Sequence, residues 1–254
     1  MIQTPSVVSL SIRSLRGRIL LLLAFGAALL LLAVALRAVG GHDGHVDPDA
    51  LFRIGGFPLV SIVLLAGYVL GRFPIIATLV MVAGLVSSDL AAGHTRLYAA
   101  RPVSLLRLYG ARLALRCGIA FLISALLLPA FDLILLGNWA GPRTFALIAA
   151  YVVAFGGLTA FLSVWFRADA WIAGLLAIVA IAWHALRSAF VAGMGPPFVR
   201  DSITMLLPPH GAMTQLERAF SALAPVPWIA FAYAVAYGMF WVLLGGLAIG
   251  RRQL

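Results

Sequence analysis

Long apolar runs alternate along the chain with short segments rich in arginine, glycine and proline. A bilayer core about 30 Å thick takes about 20 apolar residues per helix, and six stretches meet that length: residues 18–39, 57–88, 113–136, 144–166, 171–192 and 227–250. The second is too long for one straight helix and too short for two, and Gly71, Arg72 and Pro74 interrupt it. We expect one crossing, with the interruption as a kink or as a surface segment feeding the span. Before the first run, Val7, Leu10, Ile12 and Leu15 alternate with serines, Arg13 and Arg16. That pattern predicts a short interfacial helix with a basic face; a frayed tail that only supplies charge is the alternative. No convincing small-residue cleavage site follows the first run before Gly40, so it reads as an uncleaved span. Between the last two runs, prolines divide residues 195–226. There Thr214 and Glu217 have the spacing of a capping box, and Met213, Leu216, Phe220 and Leu223 share one helical face. A short amphipathic helix on or in the outer leaflet is expected.

Composition settles the solvent. Of 254 residues, 63% are apolar and 10% charged, and the mean hydropathy is +1.08. A soluble core of this size could not hide that much apolar surface. The expected fold is an all-α integral membrane protein, a single six-span transmembrane domain over residues 1–254. All 18 basic residues are arginine, for a net charge of +10. Because they flank apolar runs, lipid headgroups and cytosolic proteins suit them as partners, and nucleic acid does not. With a single second crossing, eleven arginines fall on the side of both termini and six on the other, with Arg72 unassigned. The positive-inside rule then places both ends in the cytosol, as in a multi-pass protein of a bacterial inner membrane. The lone Cys117 excludes an intrachain disulfide.

Candidate chemistry is sparse. The outer loop holds His42, Asp43, His45, Asp47 and Asp49 within eight residues, a possible metal set. The competing reading is a helix start, with Asp47 as N-cap and Pro48 at the first helical position, and no metal is assigned. Arg72, Asp132, His184 and Arg187 are ionisable groups in or near spans, hence candidates for substrate contact; snorkelling to the interface is the ordinary alternative. Gly67 with Gly71 and Gly246 with Gly250 have the four-residue spacing that permits close helix contact. The chain has no H-E-x-x-H zinc motif and no close acid pair at bilayer depth, so an enzyme is not expected. A Walker A loop requires lysine, and the sequence contains none. If ATP powers this protein, another subunit binds it.

Residues 87–107, SSDLAAGHTRLYAARPVSLLR, are the most specific stretch. Asp89, Gly93, Leu97 and then Arg101–Pro102–Val103–Ser104 resemble the cytosolic loop of ABC type-2 exporter permeases. The amphipathic opening segment and the terminal GRRQL resemble that family's ends, while His94 and Leu105 depart from its usual pattern. The resemblance implies that Asp89, Gly93, Arg101, Pro102, Val103, Ser104 and Arg107 couple the permease to an ABC ATP-binding subunit carrying ATP and Mg. It also implies a permease dimer and external re-entrant helices at the exit of the pathway. A loop whose arginines only fix topology is the competing reading. The function expected is export of an unidentified substrate; a secondary transporter, or an ABC-like membrane subunit serving metalloenzyme maturation, is the alternative.

Overall fold

A computed structural model describes residues 7–40, 69, 71–93, 104–135, 139–189 and 197–251, with side chains placed for 15–35, 69, 71–93, 104–134, 139–187 and 201–251. The described residues form helices α1 (Val7–Gly40), α2 (Phe73–Val82), α3 (Ser87–Ala91), α4 (Leu105–Leu135), α5 (Arg143–Trp165), α6 (Asp169–Ala189), α7 (Pro197–Leu206), α8 (His210–Ser221) and α9 (Trp228–Arg251). Among the described residues, six segments are long and apolar enough to cross a membrane: α1 from Leu15 to Ala35, α2 with α3, α4, α5, α6 and α9. The chain is a multi-pass membrane protein.

Helix α5 is the centre of the bundle. It is buried along most of its length, and α2, α4, α6, α8 and α9 all pack on it. Its closest neighbour is α9, for a steric reason. A Cβ on Gly157 would lie 2.1 Å from the carbonyl oxygen of Gly238, and one on Gly238 would lie 2.2 Å from that of Val153. Only hydrogens fit, so the two backbones touch. By contrast, a Cβ on Gly71 or Gly250 would meet nothing within 4 Å. The glycine pairs singled out by spacing are not where the described helices meet most closely. Helix α1 binds the bundle through one stripe, with Leu15, Leu22 and Ala33 buried, and turns Leu20, Leu21 and Leu31 outward.

One boundary differs from that expected, and another is narrowed. The N-terminal segment does not form a separate helix; Val7 to Gly40 is one continuous helix. In the second crossing, the Gly71–Pro74 interruption lies at the start of α2, so of the two expected alternatives it is not the mid-span kink. Arg72 caps α2, and Pro74 sits in its first turn, where the missing N–H costs nothing. The break comes later, at Ala83–Val86. Ala83 leaves the helix with φ −44° and ψ 132°, and Gly84 takes φ +67°, a left-handed conformation that glycine adopts without strain.

Candidate functional site

That break forms an elbow, and its polar groups are satisfied by four other helices. Carbonyls left open at the end of α2 need donors, because the apolar core offers no water. Arg18 of α1 supplies them through Nη1 to Val80, Met81 and Ala83 at 3.0, 3.2 and 2.6 Å. Arg116 of α4 donates to Val82 and Ala83 at 3.3 and 3.1 Å. The amides beyond the break find acceptors in turn. Gly84 N–H donates to Asp169 at the start of α6 (2.7 Å), and those of Val86 and Ser87 donate to the Ser163 hydroxyl of α5 (2.7 and 3.2 Å). Asp169 is 2% exposed, and its other oxygen accepts from Ala170 N–H. The elbow is therefore pinned to α1, α4, α5 and α6 together.

Beyond the elbow, α3 leads toward the arginine-rich loop. Asp89 accepts from Arg112 Nη1 at 2.5 Å and from the Tyr109 hydroxyl at 3.2 Å, and its side chain is 14% exposed. It braces α3 against α4. Gly93, at φ +72° with its N–H on the Leu90 carbonyl, ends α3, in a conformation where a Cβ would be strained. Ser104 and Arg107 are exposed at the start of α4, where the Ser104 hydroxyl accepts from Arg107 N–H at 3.5 Å as an N-cap. Thus Arg112 and Arg116, which follow the stretch on α4, are committed to internal contacts. Leu97 and Arg101 to Val103 lie outside the described residues, as do His42 and His45.

At the other end of the bundle a second polar cluster assembles. Helices α7 and α8 are joined through Pro208 and Pro209, both of them buried. The Tyr237 hydroxyl donates to the Leu206 carbonyl at 3.1 Å. Tyr237 lies nine residues into α9, about 13 Å along its axis. Arg187 holds α7 to α6 through Asp201 and Thr204, both at 3.2 Å, and the Trp183 indole also donates to Thr204. Arg72 pairs with Glu217 at 3.3 Å, and the Tyr151 hydroxyl donates to the same carboxylate. His184 and His210 stand edge to face with centroids 5.2 Å apart. Burial lowers the pKa of His210; nearby His184 lowers it further, Glu217 opposes, and Arg72 adds to the lowering.

Of the four ionisable candidates, Arg72 and His184 thus join one neighbourhood. Arg187 holds α7, and Asp132 lies apart on α4, 3% exposed, with Oδ2 unpartnered among the described residues. The capping box is not formed: α8 starts at His210, four residues before Thr214, and Glu217 faces Arg72 and Tyr151 instead. Met213, Leu216 and Phe220 do pack on the core, whereas Leu223 falls beyond the helix and is exposed. Tyr151, Ser163, Asp169 and His210 carried no sequence signal, since each is a common residue whose long-range partner lies 26 or more positions away. Comparisons with family models, with curated proteins and with solved structures found no match.

Proposed function

We propose that this chain is the membrane-spanning permease subunit of an ABC-type exporter, working as a dimer in a bacterial inner membrane with both termini in the cytosol. A separate subunit hydrolyses ATP. The observation that carries this reading is the elbow. A force applied to the segment after Gly93 reaches α3, then the Ala83–Val86 break, and from there four other helices through the contacts of Arg18, Arg116, Ser163 and Asp169. A loop that only fixed topology would need none of these connections. In this scheme Arg101, Pro102, Val103, Ser104 and Arg107 face the ATPase. Asp89 and Gly93 shape and brace α3 behind them and act as positioning residues. The continuous α1 begins with its basic segment at the cytosolic interface.

Copurification tests the reading. The protein isolated with its native neighbours should bring down a P-loop ATPase, and replacing Arg101–Ser104 by a Gly-Ser linker should abolish that association. An ATPase retained by the linker variant would defeat the coupling assignment. A second reading, a secondary transporter, draws on the broken second span and the Arg72, Glu217 and His210 cluster, since such carriers use discontinuous helices beside ionisable groups. Absence of any ATPase partner, together with ion-gradient-driven uptake in vesicles, would favour it.

A further inference from the structure

Two guanidiniums meet at the elbow. Arg18 of α1 and Arg116 of α4 both donate through Nη1 to the Ala83 carbonyl oxygen, at 2.6 and 3.1 Å. Their remaining hydrogen bonds, to Val80, Met81 and Val82, also leave from Nη1 and also end on neutral carbonyls. A guanidinium carries donors on Nε and Nη2 as well, and on both residues these have no acceptor among the described residues. The nearby acids are bonded elsewhere. Asp169 accepts from the Gly84 and Ala170 amides, and Asp89 from Arg112 and Tyr109. The charges that act on Arg116 are Arg18 and Arg112 against Asp89 and Asp169, so three guanidiniums face two carboxylates. Like charges this close repel strongly where water is scarce, and the surplus calls for an anion.

We infer that Arg18 and Arg116 bind a phosphate group, which bridges them through the Nε and Nη2 donors that the backbone leaves unused. Guanidinium and phosphate form charge-assisted, often bidentate hydrogen bonds. A tetrahedral phosphate turns separate oxygens to two guanidiniums at once, whereas a carboxylate has two oxygens in a single plane. Both arginines are partly exposed, which leaves the pair within reach of a ligand. Arg18 lies three residues past Leu15, where the apolar span of α1 begins, about 5 Å along the axis. That depth is the level of lipid headgroups, and a soluble phosphate compound can also approach there. The site follows from the side chains at the elbow and does not depend on the ATPase-driven reading.

Equilibrium binding tests it. The purified full-length protein in neutral detergent micelles is titrated with radiolabelled phosphatidic acid in one arm and radiolabelled inorganic phosphate in the other. We expect a single saturable site per chain in at least one arm. Saturation by phosphatidic acid alone assigns the phosphate to a lipid headgroup, and saturation by inorganic phosphate, with or without the lipid, assigns it to a soluble compound. Arg18→Gln and Arg116→Gln should each weaken that binding about tenfold, while Arg16→Gln, on the exposed side of the same turn, should change it by less than about twofold. Because both arginines also hold the carbonyls of α2, a second measurement uses the wild-type protein alone. Amide hydrogen exchange at Ala83–Val86 should slow when the phosphatidic acid or inorganic phosphate that saturates is present. Unsaturable binding in both arms would overturn the proposal, as would exchange at the elbow that the ligand leaves unchanged. So would an Arg16→Gln loss equal to that of Arg18→Gln, or undiminished binding by a glutamine variant that elutes like wild type.

Discussion

Replacing Asp89 by Asn would leave the Arg112 guanidinium largely buried beside a neutral amide. Breaking a buried pair by removing one partner costs about 3 kcal/mol, and both side chains here are less than one fifth exposed. Asp89→Asn should therefore lower stability by about that amount in SDS-titration unfolding, and Arg112→Gln should cost little more once Asp89 is gone. Additive losses would mean that the two residues act independently. His210 makes a prediction of opposite character. Its pKa lies below the ordinary 6.5, first through burial, then through His184, against Glu217 and with Arg72. Below pH 6.5 the unfolded chain then binds more protons at this position than the folded one. The contribution is harmless above 6.5, and stability falls as pH drops through 6.5 toward the lowered folded value. Melting temperature followed from about pH 8 to about pH 5 should decline on the acid side, and His210→Asn should flatten that decline. Parallel curves for the two proteins would assign the slope to other groups.

At the level of elements, glycines decide two geometries that spacing rules did not locate. Gly157 and Gly238 let α5 and α9 touch backbone to backbone, and an alanine at either forces the helices apart. Each substitution should cost about 3 kcal/mol. Gly110→Ala on α4 is the control, because a Cβ there meets nothing within 4 Å; it should be neutral or stabilising by about 0.5 kcal/mol. Gly84→Ala tests the elbow separately, since φ +67° should cost a side chain about 1 to 2 kcal/mol. If the elbow transmits the loop's motion, that variant should also lose transport while still binding its ATPase. The sequence offered four-residue glycine spacings, but close approach depends on which faces meet. Gly157 and Gly238 are 81 positions apart, so no local pattern contains them. Likewise Thr214 and Glu217 matched a capping box locally, and the longer-range pull of Arg72 and Tyr151 on Glu217 took precedence.

For the molecule as a whole, apolar run length made the six crossings legible, because the bilayer imposes a length that any sequence must show. The elbow was not legible, since Ala83–Gly84 sits within an unbroken apolar run and the arginines that satisfy its carbonyls come from two other helices. Arg112 and Arg116 looked like part of a charge count, and only the fold turned them inward. The orientation argument is affected as well. Charge placed both ends in the cytosol using arginines now seen to be internally engaged, namely Arg18, Arg112 and Arg116. Without those three the tally still favours the same side, eight against six, and six spans, the number expected from the sequence, would keep the termini together. Orientation is best tested by single cysteines introduced after Cys117→Ala. Ser104→Cys, at the exposed start of α4, and Arg251→Cys, at the end of α9, should react with a membrane-impermeant maleimide only in inverted vesicles. Arg218→Cys on α8 should react in intact spheroplasts. The reverse pattern would place the arginine-rich loop outside the cell, beyond the reach of any cytosolic ATPase, and the permease reading would fall with it.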